Sequence, residues 1–273
     1  MPVPFILEKY MNIIVCVKQV PGTTQVEIDP ETGVLKRDGV AGKLNPYDLF
    51  ALETALKLAE QTDGSVTTLS MGPPQAADAL KETLWMGASA GILLSDRKFG
   101  GADVAATSTA LSLGVKEAGD FDLVICGKQT TDGDTAQVGP ELAERLRIEH
   151  AANITEIKEV GDGYITCVMD MDSSFQTLKI KLPCLITMDK DTCTPRLPSY
   201  RKKKAISGKE NIRILTAADI KDADPGKLGL KGSPTRVERI FPPEKNTDKK
   251  ILNGTGEELA GSLYEILSQK KFI

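Results

Sequence analysis

The 273-residue chain lacks the residues on which several classes of enzyme depend. Its only histidine is His150, so a histidine metal site or a Ser-His-Asp triad would have to use this one residue. No Gly-x-Ser-x-Gly nucleophile motif occurs, and His150 follows a predicted helix, where we expect a surface position. No apolar run approaches the ~18 residues that a membrane-spanning helix needs. The sequence therefore favours neither a triad hydrolase nor a membrane protein.

The cysteines are also poorly arranged for a structural role. The five residues form no Cys-x-x-Cys pair and are odd in number, which argues against a zinc site and against a disulfide framework. Reduced thiols in the cytoplasm are the simplest interpretation. The net charge of −4 gives no reason to expect nucleic acid or an anionic membrane as a partner.

Apolar runs and amphipathic segments alternate along the first half of the chain, after an N-terminal extension at residues 1–10. The predicted strands are Asn12–Val17, Val66–Met71, Gly91–Leu94 and Leu123–Cys126. The predicted helices begin at Asn45-Pro46, Gln75, Ala102 and Ala136, and a hairpin is predicted at Val26–Asp38. This alternation predicts an α/β fold with a mainly parallel, doubly wound sheet.

The second half of the chain follows a different pattern. Short strands without intervening helices are predicted at Ile154–Val160, Tyr164–Asp170, Gln176–Lys181 and Leu185–Met188. An exposed loop is expected at Pro195–Lys204, and at most a short helix at Ala217–Asp222. We expect one nucleotide-binding domain at residues 11–224 and a partner-wrapping arm at 225–273, where Pro225–Asp248 buries little of itself and Gly256–Gln269 forms a closing helix.

The segment Gly127–Leu142, GKQTTDGDTAQVGPEL, follows a buried strand and opens a helix. Unpaired N–H groups and the helix dipole make such a helix start suitable for a phosphate. Asp134 or Thr135 is expected to cap the helix, Gln137 to donate to a phosphate oxygen and Gly133 to allow a tight turn. The segment is neither a Walker A loop nor a Gly-x-Gly-x-x-Gly loop. A capped helix after a polar loop is the alternative without a ligand.

Three other segments are expected at the same edge of the sheet. They are Cys16–Pro21 after the first strand, Leu44–Tyr47 at a helix start, and Ser70–Pro73 after the second strand. Asn45 is the expected N-cap of that helix, and Pro46 suits its first position. Ligands of parallel sheets bind at the carboxyl ends of the strands, so these segments together predict a site there.

The stretches CVKQVP, NPYDLFALETAL, GPPQAADAL and GKQTTDGDTAQVGPELAERL, in this order, resemble the beta subunit of electron transfer flavoproteins, from Met11 to roughly Pro243. The resemblance implies a five-stranded parallel sheet of the adenine-nucleotide hydrolase type with additional strands and a bound adenine nucleotide. The residues implied to contact it are Cys16, Val17, Lys18, Leu44, Asn45, Pro46, Tyr47, Met71, Gly72, Gly127, Lys128, Gln129, Thr130, Thr131, Asp132, Gly133, Asp134, Thr135, Ala136, Gln137 and Val138.

The identity of the nucleotide depends on Ser95–Ser108, SDRKFGGADVAATS. This stretch resembles the electron-bifurcating branch of the family, which binds FAD, whereas housekeeping members bind a structural AMP. The residues implied to approach the flavin are Asp96, Phe99, Gly100, Gly101, Asp103 and Thr107. Glycine would let the loop approach a ring system closely. The alternative is a helix capped by Asp96 or Asp103 after a glycine turn.

No side chain is predicted to act as an acid, base or nucleophile, so the chemistry would belong to the flavin. The resemblance implies NAD(H) as the substrate near the FAD, an alpha subunit carrying a second FAD, ferredoxin as acceptor and a flavin-dependent dehydrogenase of acyl-CoA or 2-hydroxy acid type. Leu197, Tyr200 and Arg201 are the implied docking residues for the dehydrogenase. A solvated charged loop is the alternative there, and a homo-oligomeric ATP-binding stress or signalling protein is the alternative for the whole chain.

Overall fold

The computed structural model describes residues 5–6, 10–22, 42–238 and 249–273. Two sets of elements are found in these ranges. The strands are β1 Phe5–Ile6, β2 Asn12–Cys16, β3 Gln19–Pro21, β4 Gly42–Leu44, β5 Ser65–Met71, β6 Ala90–Leu94, β7 Leu123–Gly127, β8 Glu149–Gly161, β9 Tyr164–Asp170, β10 Phe175–Lys181, β11 Cys184–Met188 and β12 Ile212–Leu215. The helices are α1 Pro46–Thr62, α2 Ala77–Met86, α3 Val104–Ala118, α4 Val138–Leu146, α5 Tyr200–Ile206, α6 Gly229–Gly232 and α7 Gly256–Gln269. The predicted hairpin at Val26–Asp38 lies outside the described residues.

One large sheet organises the fold, in the order β10-β9-β8-β11-β7-β2-β5-β6-β12, with β1 beside β8. Every pair from β8 to β12 along this path is parallel, whereas β9 is antiparallel to both of its neighbours, β8 and β10. The prediction of a mainly parallel α/β sheet is confirmed. Seven neighbouring strands are parallel, two more than the five expected, because β8 and β12 extend the parallel part at both ends.

Helices cover both faces of the sheet, as doubly wound folds require. Ile13 and Val15 of β2 pack on the side of α1 and α2, whereas Ile14 and Cys16 pack on the side of α3 and α4. Because successive side chains of a strand point to opposite faces, this short run supplies both cores. The strand is therefore rigidly held up to its carboxyl end.

The sequence did not predict the short elements β1, β3, β4 and α6, nor two elements beside the sheet, α5 and β12. The expected loop at Pro195–Lys204 is wrong from Tyr200 onward, where α5 begins, with Ser199 at its N-cap accepting a hydrogen bond from Lys202 N–H at 3.3 Å. The helix buries no residue, so it has no apolar periodicity to detect. Strand β12 is only four residues long and adds to the edge of the sheet beside β6.

The C-terminal arm begins by packing against the domain. Leu228 is 1% exposed and belongs to the core beside α3, so the expectation that Pro225–Asp248 buries little of itself is wrong at this point. Helix α7 lies where it was predicted and buries no residue. None of the helices in the described ranges combines the length and hydropathy of a bilayer crossing.

Candidate functional site

The sheet order places a crevice at the carboxyl ends of β2 and β7. From β2 the chain moves through α1 to β5 and then β6, and it returns through α3 to β7 on the opposite side of β2. Cys16 and Cys126, near the ends of these strands, are direct neighbours in the ladder. Such a reversal of direction is where ligands bind in open parallel sheets. We call the site formed by Lys18, Asn45, Asp48 and residues 127–137 the switch-point rim.

Asn45 joins the start of α1 to the loop after β7. Its Nδ2 donates to Gln129 O at 2.8 Å, its Oδ1 accepts from Thr131 N–H at 3.2 Å, and its own N–H donates to Lys18 O at 2.9 Å. Asn45 stands at the N-cap position of α1, as predicted, but its side chain makes no capping hydrogen bond. Pro46 stands at the first turn of the helix as expected. Asn45 instead fixes the loop that carries the candidate phosphate site.

Asp48 is the most unusual ionisable group of the rim, and the sequence prediction missed it. Its carboxylate is buried and accepts from Lys18 N–H at 2.7 Å, with Gly127 N–H as a second donor. Burial raises the pKa of Asp48 to about 7, against the opposing effects of hydrogen bonds from Asn45 and Lys18 and of the Lys18 charge. An acidic residue in the first turn after Asn-Pro was the available signal.

Gly127 is required by the close approach of α1. A Cβ at this position would lie 2.4 Å from Asp48 Oδ1 and 2.8 Å from atoms of Tyr47. Only glycine leaves room for the carboxylate between the ends of β2 and β7. The first glycine of the GKQTTDGDTAQVGPEL segment therefore serves packing beneath the rim.

The loop after Gly127 is exposed but tied down. Lys18 Nζ lies 2.7 Å from Asp132 Oδ1, Gln129 Nε2 donates to Asp134 at 3.0 Å, and residues 131–137 are all exposed. Gly133 is not the left-handed residue of this turn; Asp134 and Ala136 are, with φ of 49° and 54°. Gly133 lies in the turn, as predicted, and its N–H donates to Thr130 O at 3.4 Å.

Further support comes from Lys128, whose Nζ lies 2.9 Å from Asp189 Oδ2 after β11. The hydrogen bond to Asp189 raises the pKa of the Lys128 ammonium group, against an opposing effect of burial. Lys128 N–H also donates to Met188 O at 2.8 Å. This side chain therefore anchors the loop to the end of β11. Its ammonium group is already paired with Asp189, which argues against a role as a phosphate ligand.

Helix α4 begins at Val138, two residues later than predicted, because Ala136 is left-handed. Gln137 occupies the N-cap without a side-chain capping bond, so the predicted caps Asp134 and Thr135 are wrong. The first N–H groups of the helix remain without a side-chain acceptor from this turn. An uncapped helix start beside an exposed loop fits the binding of a phosphate.

Other predicted site residues lie beneath the rim or at the start of α1. Cys16, Val17 and Leu44 are each less than 9% exposed. A hydrogen bond with the Cys16 thiol, together with burial, raises the pKa of the Cys126 thiol well above its usual range. These residues form the floor beneath the ligand position predicted for them. Pro46 and Tyr47 are partly exposed at the start of α1.

Met71 and Gly72 end the neighbouring strand, β5. Gly72 N–H donates to Leu94 O at 3.1 Å, and a Cβ on Gly72 would lie 2.9 Å from the Ala76 Cβ. The turn is therefore compact, and both residues are partly exposed at the same edge as the rim. The predicted convergence of three strand-end segments on one edge follows from the neighbouring positions of β7, β2 and β5. The fourth segment, Leu44–Tyr47, joins them through Asn45 N–H, which donates to Lys18 O at 2.9 Å.

The loop after β6, residues 95–103, is held by the C-terminal part of the same chain. Asp96 accepts from Lys98 N–H at 3.0 Å and from Ala217 N–H at 3.1 Å. Asp103 caps α3 through Ala106 N–H at 3.0 Å and accepts from Thr235 N–H at 3.0 Å. These carboxylates thus have structural partners, in agreement with the capping alternative.

The glycines of this loop also meet the chain itself. Gly101 has a φ of +70°, and a Cβ there would lie 3.3 Å from the Leu230 Cβ. Gly100 O accepts from Leu230 N–H at 2.9 Å, Phe99 is 4% exposed, and Thr107 N–H donates to Asp103 O at 2.9 Å within α3. At Gly101, the space in which a ring system was expected to approach the loop is therefore occupied by Leu230.

The implied docking residues lie on another surface. Leu197 is 86% exposed and Tyr200 is 78% exposed, and Arg201 is also exposed. Pro198 separates the two apolar side chains, and α5 adds three lysines directly after Arg201. The arrangement offers two apolar contacts beside a basic helix.

Comparison with known proteins agrees with the α/β fold described above. Residues 32–220 match the electron transfer flavoprotein domain. An electron transfer flavoprotein subunit beta from Thermoanaerobacterium thermosaccharolyticum is 42% identical over 263 residues, covering 96% of this chain and all of the relative. The subunit CarD of the caffeyl-CoA reductase-Etf complex from Acetobacterium woodii is 41% identical, with the same coverage. The protein FixA from Azorhizobium caulinodans is 42% identical, covering 88% of this chain and 87% of the relative.

Proposed function

The chain belongs to the beta-subunit family of electron transfer flavoproteins, and from that premise we propose that its switch-point rim binds the adenosine and phosphate part of FAD. The carrying observation is the construction of the rim. Asn45 and Asp48 fix the main chain at the ends of β2 and β7, while residues 131–137 are exposed and α4 starts directly after them without a side-chain cap. A rigid base with an exposed N–H-rich turn suits a dinucleotide phosphate.

FAD is preferred over AMP because of the stretch Ser95–Ser108 and of the relatives. The sequence of this loop resembles the bifurcating branch, and CarD, a relative of high identity, is named for an Etf complex with a reductase. The intramolecular contacts of Asp96, Gly101 and Asp103 weigh on the side of AMP. A structural AMP beneath a docking surface is therefore the second candidate.

In the proposed function, bound FAD would accept hydride from NADH and release the electrons one at a time, to ferredoxin and to the FAD of an alpha subunit that serves a dehydrogenase, or the reverse. The residues of this chain position the nucleotide and hold the phosphates. The complex is proposed to be cytoplasmic. Helix α7, with no buried residue, and the arm at 225–273 would contact the alpha subunit.

The test is the nucleotide content of the purified complex with its alpha partner. We expect two FAD per heterodimer, seen as flavin absorbance and as FAD by mass spectrometry after denaturation. One FAD and one AMP would establish the second candidate. Purification of this chain as a stable homo-oligomer with ATP bound would contradict both.

A further inference from the structure

Leu197 lies between two residues that are bound to different helices. The preceding residue, Arg196, is bound to α1, and Ser199 N–H donates to Trp85 O, near the end of α2, at 3.0 Å. Upstream, the Cys193 thiol lies 3.7 Å from Phe50 O of α1. The exposed side chain therefore stands on a span of two residues whose ends are both fixed.

Arg196 makes the stronger attachment. Its N–H and its Nε donate to Glu53 Oε2 at 3.0 and 2.8 Å, and its Nη2 donates to Glu53 Oε1 at 3.2 Å. The same guanidinium donates to both carboxylate oxygens of Glu60. A planar fork with donors in fixed directions can hold two carboxylates in this way, whereas a lysine cannot.

Glu53 gives this attachment its rigidity because its side chain is only 4% exposed. A buried carboxylate remains close to its counter-charge, since an unpaired position would cost desolvation free energy. The hydrogen bond from Arg196 is the largest cause that lowers the pKa of Glu60. Lys57 Nζ, 3.7 Å from Glu53, supplies a second cation, so removal of the guanidinium leaves Glu53 partly compensated.

We propose that Arg196 is a positioning residue for docking, which holds Leu197 in the orientation that a flavin-dependent dehydrogenase binds. The inference rests on the proposed docking role of Leu197. A contact residue that is ordered before binding loses less conformational entropy on association. Arg196 therefore acts on the affinity for the dehydrogenase through Leu197 and touches neither the nucleotide nor the switch-point rim.

The experiment uses the heterodimer with its alpha partner and the dehydrogenase that co-purifies with the native complex. Arg196→Met is expected to raise the KM for that dehydrogenase about tenfold with kcat unchanged, as for a lost uniform binding interaction. Arg196→Lys should restore little, because lysine lacks the fork. Exchange of the Ser199 amide hydrogen should accelerate in Arg196→Met. The matched control is Arg213→Met, which removes an exposed arginine of β12 that lies near Glu117 of α3.

Leu197→Ala separates this inference from the docking role. A raised KM in Leu197→Ala with an unchanged KM in Arg196→Met would overturn the positioning role and leave docking intact. An unchanged KM in both would overturn docking at this loop as well. If the Arg196→Met complex loses its nucleotide, Glu60→Gln is used instead, because this variant removes only one acceptor of the Arg196 guanidinium, on the solvent side. An unchanged KM together with unchanged exchange of the Ser199 amide in Glu60→Gln would then overturn the inference.

Discussion

The switch-point rim and the loop at residues 95–103 lie at the same edge of one sheet and differ in what their polar groups contact. In the rim, the buried side chains of Asn45 and Asp48 hold the main chain from below, and the turn at 131–137 stays exposed. In the loop after β6, Asp96 and Asp103 are bound by the C-terminal part of the chain. The turn of the rim is thus exposed where the nucleotide is proposed to bind, whereas the carboxylates of the second loop already have partners within the chain.

This difference gives the C-terminal segment a place in the proposed function. Residues 229–235 cover the loop after β6 through Leu230 on Gly101 and through Thr235 on Asp103. Binding of a flavin ring near Gly101 would require this segment to share or leave the position. Binding of AMP would need only the rim, so the segment separates the two candidate ligands.

The largest expected effect is on the pH dependence of the free energy of unfolding when Asp48, at the base of the rim, is replaced by asparagine. The folded pKa of Asp48 is raised from 3.8 to about 7 by burial, so the folded state binds the proton more tightly than the unfolded state. The stability that this group contributes is complete below pH 4 and is lost as pH rises to 7, by about 4 kcal/mol at most. The wild type should therefore lose stability relative to Asp48→Asn across this window.

Denaturant unfolding at several pH values between 4 and 8 measures this difference. The substitution Asp63→Asn, at the exposed end of the same helix, controls for the loss of one negative charge. Parallel stability curves for the wild type and Asp48→Asn would contradict the burial of a carboxylate beneath the rim.

The second effect is steric and tests whether the rim tolerates any added atom. Gly127→Ala places a Cβ against Asp48 and Tyr47, and overpacking of this kind costs about 1–3 kcal/mol. We expect lower stability together with loss of the bound nucleotide, measured by thermal unfolding and by nucleotide content. Gly163→Ala is the control: its Cβ would meet nothing within 4 Å, and its φ of +77° predicts lower stability with unchanged nucleotide content. Full nucleotide content in Gly127→Ala would place the ligand elsewhere.

Local sequence patterns were sufficient for the frame of the molecule. The apolar runs of β2, β5, β6 and β7 and the helices between them are periodic within a few residues, so their order and the shared edge could be predicted. The surface position of His150 is confirmed as well. Periodicity reports which face of an element is buried, and this information is local.

The contacts that define the rim and that hold the Leu197 loop are not local. Asn45 reaches Gln129 across 84 positions of sequence, and Arg196 reaches Glu53 across 143. Asparagine before proline indicates a helix cap, and arginine near a basic run indicates a solvated charge. Neither pattern can reveal a partner so far along the chain. The same limit explains why Asp103 was assigned to a flavin while its side chain also binds Thr235.

The smallest expected effect tests the internal ligand of the second loop. Thr235→Val removes the hydroxyl that donates to Asp103 at 2.8 Å but keeps the main-chain donor and the cap of α3. A lost hydrogen bond to a charged group at an exposed site should cost about 1 kcal/mol or less. If residues 229–235 compete with the flavin, this change should raise FAD affinity in the nucleotide-depleted complex, measured by flavin titration. Ser233→Ala is a second variant, because it removes the hydroxyl that accepts from Asp103 N–H at 2.9 Å. Unchanged affinity in both variants would mean that the segment and the nucleotide occupy separate positions.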